Sequence, residues 1–322
     1  MTDQHKIKAQ DLTIIIPLDF NRRVLDLLNR VRLFIKCLGH TQFKIIFGVN
    51  SQPALPFKFF QHLIGNIPNF DFAAAPCQVL HLSRIRNLAL EEVHTSHVLF
   101  LDIDIYPDLD MLSRVIEDLN ASKNNLVMYP CLYLSQKGNK VLFKKDSHFL
   151  AQAYYDYSRD LVKHLAFPSS IITCDLKSIQ AISGFDENFI GYAYEDFDFM
   201  IRLFHAKNLI EYSSELLIDE PYLAPMMSTG FRAMLAEPFI YKILEKNYFM
   251  HIFHKKDQKQ EYYKSKKYNK LLFQSKIKQY IINKDEPIIN NYRLIQYIEK
   301  FKKQNNNYSV LWAEISGHKF RK

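Results

Sequence analysis

Glycine is scarce, with 8 in 322 residues, and neither a GxGxxG nor a GxxxxGK[ST] arrangement occurs. Dinucleotide-binding and P-loop chemistry, which need glycine to bring backbone N–H groups against phosphate, are thereby excluded. The four cysteines, Cys37, Cys77, Cys131 and Cys174, form no CxxC pair. That excludes a zinc ribbon and a disulfide framework and points to a reducing compartment. No stretch approaches the roughly 18 uninterrupted apolar residues of a membrane span, and the opening MTDQHKIKAQD lacks the apolar core of a secretory signal. A cytoplasmic protein is expected. What is present is apolar material for a substantial core, 48% hydrophobic and 14% aromatic residues, enough to exclude disorder of the whole chain. The length suits one large or two ordinary domains.

Charge is unevenly placed. From Lys255 onward there are 17 basic and 6 acidic residues, against 25 and 28 in the rest. This composition shift sets an expected boundary, with a body over 1–255 and a basic, mainly helical extension over 256–322. The lysines of the extension can serve as a solvated helical face. They can also attract anionic lipid on the inner face of a membrane, or a polyanionic substrate. No recognition-helix or RNP pattern accompanies them, so nucleic acid is not an expected partner.

Along the body, Leu12–Pro17 is a continuous apolar, β-branched run typical of a strand buried on both faces. Val24, Leu27, Leu28, Val31, Phe34, Ile35 and Leu38 then recur at helical spacing up to Gly39. Phe43–Val49, Val98–Ile103, Leu126–Tyr129 and Ile171–Cys174 read as further strands. Between them, Ser83–Val93, capped by Ser83, and Leu109–Leu119 read as helices. This alternation predicts an α/β fold with a mostly parallel sheet flanked by helices, its ligands bound beyond the carboxyl ends of the strands.

Two acid clusters carry the chemistry. The strand Val98–Ile103 ends in Asp102 and Asp104, and period-two geometry places both on one face. Carboxylates crowded in this way need a shared cation or donors, and hard Mg²⁺ or Mn²⁺ suits such oxygens. Asp108, before Leu109, fits a helix cap instead. The second cluster is Glu195, Asp196 and Asp198, in the first turn of a helix marked by the stripe Phe197, Met200, Ile201 and Phe204. First-turn acids also complement a helix dipole without further purpose. The preceding loop, Phe189-Ile-Gly191-Tyr192-Ala-Tyr194, offers aromatic rings and little bulk for stacking a sugar. His251 and His254 lie at the end of the body without the partners that a zinc site would require. An imidazole added to oxygen ligands would favour Mn²⁺.

Taken in order, these motifs resemble nucleotide-sugar-dependent glycosyltransferases of the GT-A fold, in particular the family 2 and β-1,4-galactosyltransferase-like groups. The likeness runs from about Leu12 to Asp257. Pro17 and the following Asn21-Arg22-Arg23 resemble the family's nucleotide-binding start. Ser83-Arg84-Ile-Arg86-Asn87 resembles the segment whose Arg and Asn approach the donor, and Leu101-Asp102-Ile-Asp104 resembles the metal-binding DxD. Gly184-Phe185-Asp186-Glu187, with Gly191-Tyr192-Ala-Tyr-Glu195-Asp196-Phe-Asp198, resembles the GFxx…GxGxEDxD segment, and His254-Lys-Lys-Asp257 the closing histidine motif. Asn50 stands where the family usually has an acid for the uracil, and Ala193 where glycine is frequent.

The resemblance implies a Rossmann-like GT-A domain that moves a sugar, of Gal, GalNAc or Glc type, from a UDP-sugar to a glycan or glycolipid hydroxyl, with inversion. It implies Asp196 as general base, Glu195 on the donor sugar, and Mn²⁺ or Mg²⁺ on Asp104, Asp102 and His254, with His251 the alternative histidine. Pro17, Asn50, Arg84, Arg86, Asn87 and Asp102 would contact the donor, and Gly191 and Tyr192 the acceptor. A bacterial capsule or lipopolysaccharide pathway suits the composition. A non-catalytic polyanion- or membrane-binding scaffold is the alternative of another class. A glycosidase, which needs two carboxylates and no metal, would leave Asp102, Asp104 and His254 idle.

Overall fold

The computed structural model describes residues 6–156, 158–220, 228–255 and 264–281. The chain divides into two units. One comprises Met1–Val127, Ser170–Ala206 and Lys256–Leu272, and the other Met128–Ser169, Lys207–Lys255 and Phe273–Lys322. The units therefore part at several places along the chain. Asp257 of the closing histidine motif lies outside the described residues, as does all of the extension beyond Ile281.

The first unit opens with β1 (Leu12–Asp19), α1 (Val24–Leu38), β2 (Lys44–Asn50), α2 (Ala54–Ile64), β3 (Phe70–Ala75), α3 (Leu82–Glu91), β4 (His97–Phe100), α4 (Leu109–Ala121) and β5 (Leu126–Met128). The chain then builds β6 (Cys131–Leu134), α5 (Gln136–Leu142), α6 (Ser147–Tyr155) and β7 (Val162–Ala166) of the second unit. It returns to the first for β8 (Ile172–Asp175), α7 (Leu176–Ala181) and α8 (Glu195–Ala206). The second unit continues with β9 (Asp219–Glu220), β10 (Thr229–Gly230), α9 (Phe231–Ala236), α10 (Tyr241–Leu244) and β11 (Phe249–His251), and α11 (Lys266–Ile281) runs across the division at Leu272.

The main sheet has the order β3-β2-β1-β4-β8-β5, with β1, β2, β3 and β4 parallel and β8 antiparallel to β4. This is the expected mostly parallel α/β sheet. Its inner strands are apolar without alternation, and Ile14, Ile15, Ile16, Ile45, Phe47, Val98 and Leu99 are all buried, because helices cover both faces. The order reverses between β1 and β4, so the crevice at their carboxyl ends is the natural ligand position of such a sheet. Helix α3 lies close against β2. A Cβ added to Gly48 would sit 1.9 Å from the Ile85 carbonyl oxygen, so no side chain fits there.

Two local expectations are corrected. Strand β4 ends at Phe100, not Ile103. The Leu101 N–H still donates to the Ile15 carbonyl, but the Ile105 N–H then closes a turn on the Asp102 carbonyl at 2.9 Å. Asp102 and Asp104 thus belong to a turn, where period-two geometry does not hold. Helix α3 starts at Leu82 and is capped by the His81 ring, which accepts from the Arg84 N–H at 3.4 Å, rather than by Ser83. Asp108 caps α4 as expected, accepting from the N–H groups of Asp110 and Met111.

In the second unit, β6 pairs in parallel with β11 and antiparallel with β7. The register lines up His251, Tyr133 and His164, whose rings stack at 4.1 and 4.4 Å.

Candidate active site

In the first unit the two acid clusters meet through one cation. Helix α3 carries Arg86, whose side chain is 5% exposed. Its guanidinium donates to Asp102 at 3.1 Å and to Glu195 at 3.3 Å. An aromatic trio fixes the elements that bring these groups together. Phe185 and Phe199 stack at 4.1 Å, and Phe100, the last residue of β4, meets both edge-on at 5.1 and 5.3 Å. Each buried ring contributes about 1.5–3 kcal/mol. Arg86 lies over the Phe185 ring at 5.1 Å, so the guanidinium is packed as well as paired. Asn87, the next residue, holds the Phe185 backbone from both sides, accepting from its N–H at 2.9 Å and donating to its carbonyl at 2.9 Å.

The three first-turn acids of α8 have separate fates. Asp198 is buried and accepts from Arg202 at 2.8 Å, and Arg202 also donates to the carbonyls of Ile182 and Gly184. Glu195 is buried against Arg86. Burial, and then the neighbouring Asp196 charge, push its carboxyl up to about 7, against the opposing pull of Arg86. Asp196 alone of the three is half-exposed, at a helix N-terminus that favours a negative charge.

Asp104 and Asp102 take different partners. Asp104 is buried and receives two donors from Arg23 at 2.9 and 2.7 Å, with Arg30 at 3.9 Å. Asp102 has a 40% exposed side chain and pairs with Arg86 and the Ser170 hydroxyl, the latter at 3.4 Å. Each acid already faces an arginine, Asp104 Arg23 and Asp102 Arg86, and carboxylate oxygens of this kind suit a hard divalent ion. Of the histidines, both in the second unit, His251 is buried under Tyr133, and its ring lies 5.4 Å from that of His254. Asn139 fixes the segment between them, accepting from the Phe253 N–H at 2.7 Å and donating to its carbonyl at 3.2 Å.

The remaining expected residues are placed as follows. Pro17 is buried within β1, opposite Gly48. Asn50 ends β2 and is 1% exposed. Its amide donates to the Cys77 carbonyl and accepts from the Cys77 N–H, both at 2.9 Å, so it shapes the Cys77 turn. Arg84 is exposed. Gly191 adopts φ 81° and donates its N–H to the Leu80 carbonyl at 2.9 Å, and Tyr192 beside it is half-exposed. Sequence reasoning passed over Asp19, which ends β1 in register with Asn50. Burial raises its pKa, and its Oδ2 has no partner among the described residues. An acid closing an apolar strand was the available signal, the same one that singled out Asp102.

The family profile described as "Glycosyltransferase like family 2" matches residues 14–279. The chain belongs to the glycosyltransferase family 2-like proteins. Its mostly parallel sheet, with helices on both faces, is the GT-A fold of that family. No curated protein matches the chain. Among solved structures, the crystal structure of S. aureus TarS 1-349 shares 14% identity over 60% of this chain and 55% of its own, with a TM-score of 0.38. A structure of S. aureus TarS shares 14% identity over 61% of this chain and 33% of its own, at a TM-score of 0.35. S. aureus TarS 1-349 in complex with UDP-GlcNAc shares 11% over 95% of this chain and 79% of its own, at 0.43. The chain thus spans about half and a third of the length of the first two.

Proposed function

We propose that this glycosyltransferase moves a sugar of the Gal, GalNAc or Glc type from a UDP-sugar to a hydroxyl of a glycan or glycolipid, with inversion. The observation that carries the reading is the sorting of the α8 acids. Arg202 holds Asp198, Arg86 holds Glu195, and Asp196 is left half-exposed at the helix start. Asp196 is accordingly the carboxylate that an acceptor hydroxyl can reach, and it acts as general base, taking the hydroxyl proton as oxygen attacks the anomeric carbon. Glu195, fixed by Arg86, presents its remaining oxygen to donor-sugar hydroxyls. Arg84 and Arg86 bring positive charge to the donor side, while Asn87 acts by holding the Phe185 loop. Asn50 likewise supports the donor side through the Cys77 turn. Gly191 and Tyr192 line the acceptor side.

Asp104 and Asp102 would hold Mn²⁺ or Mg²⁺, which when bound supplies Lewis-acid stabilisation of the departing diphosphate. His254 is the first candidate for the histidine ligand, with His251 the alternative. Among the described residues no helix is long and apolar enough to cross a membrane. The reading includes a cytoplasmic enzyme of bacterial capsule or lipopolysaccharide synthesis that meets the anionic inner face of the membrane through its basic C-terminal segment.

The test is UDP release from a panel of UDP-Gal, UDP-GalNAc and UDP-Glc in Mn²⁺, with and without EDTA, by wild type and Asp196→Asn. Transfer predicts metal-dependent release, reduced about 10²–10⁴-fold in the variant, with UDP affinity little changed. Equal turnover by the two proteins would remove Asp196 from the mechanism.

A further inference from the structure

The loop before α8 has an unusual backbone. Gly191, Ala193 and Tyr194 have φ of 81°, 75° and 74°, so two residues with side chains sit consecutively in the left-handed region. Such a conformation persists only where its surroundings impose it. What imposes it here comes from α11, in a stretch whose composition suggested only a basic appendage. The Nδ2 of Asn269 donates to the carbonyls of Ile190, Tyr192 and Ala193 at 3.1, 3.1 and 3.0 Å.

Asn269 is fully buried, and its Oδ1 has no partner among the described residues. The amide orientation follows from the chemistry, because the flipped rotamer would set an oxygen against three carbonyl oxygens. The loop is fastened on its other side by the Gly191 N–H on Leu80. It runs directly into Tyr194, whose carbonyl accepts from the Asp198 N–H in the first turn of α8. Whatever fixes residues 190–193 therefore fixes the direction in which Tyr192 and Asp196 leave the backbone.

We propose that Asn269 is a positioning residue for the acceptor side of the site, holding the 190–193 loop in the one conformation that presents Tyr192 and Asp196 to the incoming hydroxyl. This rests on the function proposed above, in which Asp196 is the base. It gives the first turns of α11 a role in catalysis without contact with substrate.

The experiment compares full-length wild type, Asn269→Ala and Asn269→Ser by hydrogen–deuterium exchange of peptides covering 189–195. In parallel, steady-state hydrolysis of the best UDP-sugar of the panel is followed in Mn²⁺, with water as acceptor. In Asn269→Ala, exchange across the loop rises at least tenfold and kcat falls at least tenfold, while KM for the UDP-sugar stays within threefold. Asn269→Ser, which keeps one donor, falls between the two and covers the case in which the alanine variant does not fold. Unchanged loop exchange in both variants overturns the clamp. Increased exchange with unchanged kcat overturns the positioning role, as does a loss expressed only in melting temperature. A wild type that turns over none of the UDP-sugars overturns the functional reading instead, and exchange alone then decides whether Asn269 holds the loop.

Discussion

Arg86 joins Asp102 to Glu195, donating from one guanidinium nitrogen to each, and so couples the strand-end acid motif to the start of α8. Both Arg86 and Glu195 are buried, and removing one partner of a buried pair leaves the other charge uncompensated. Arg86→Ala is expected to destabilise the fold by about 3–5 kcal/mol in denaturant unfolding. Arg86→Lys keeps the charge but loses the two-pronged reach, and a smaller loss is expected. Equal stability of wild type and Arg86→Ala would show that the bridge contributes nothing.

The raised carboxyl of Glu195 has a definite pH signature. Its unfolded-state value is 4.5, and in the fold it rises to about 7. Between these values the folded state holds the proton that the unfolded state has lost. The contribution of Glu195 to stability is therefore fully present below pH 4.5 and falls as pH rises towards 7. The slope of that contribution is at most about 1.4 kcal/mol per pH unit. Glu195→Gln removes the titration, so the difference in unfolding free energy between wild type and variant should shift in the variant's favour as pH is raised through this window. A difference that is flat from pH 4.5 to 7 would contradict the burial argument.

The backbone framework was legible where one period dominates. Continuous apolar β-branched runs gave β1 and β2, and the 3.6-residue recurrence gave α1, because burial on both faces of a sheet or on one helix stripe leaves that mark in sequence. Strands β6, β7 and β11 lie outside the segments that the sequence pattern marks as strands. At the site, the acids could be identified but not their partners. Arg86 lies far along the chain from Glu195, and nothing local says which carboxylate an arginine will meet. The family resemblance implies Asn50 and Asn87 as donor contacts. The structure shows both amides bonded to backbone, at Cys77 and Phe185. Asn269 gave no signal, being one asparagine in a lysine-rich helix.

Gly48 sets how near α3 can approach the sheet, and α3 carries Arg86. A methyl group there meets the Ile85 carbonyl at 1.9 Å and the Ala89 side chain at 3.5 Å. Helix α3 must then shift away from β2. Gly48→Ala is expected to lower stability by about 1–3 kcal/mol or more. It should also reduce turnover, since the shift moves Arg86 away from both acids. The two effects separate on measurement, one by unfolding and the other by UDP release at a temperature where the variant remains folded. Full activity in a destabilised variant would mean that Arg86 follows the acids rather than α3.

Arg23 bears on metal affinity. Its guanidinium spans both oxygens of Asp104, and its Nε donates to Asp26 at 2.9 Å. A divalent ion on Asp104 must displace this cation, yet Arg23 keeps Asp26 as a partner when it leaves, so the exchange is one contact for another and not the exposure of a bare charge. Arg23→Ala is therefore expected to tighten Mn²⁺ binding to the free protein by roughly tenfold, about 1.4 kcal/mol, in titration calorimetry or by the electron paramagnetic resonance of unbound Mn²⁺. Asp104→Asn should abolish that binding. If Arg23→Ala binds Mn²⁺ no better than wild type, the guanidinium does not compete for Asp104. If Arg23→Ala binds more weakly, Arg23 supports the ligand geometry rather than opposing the ion.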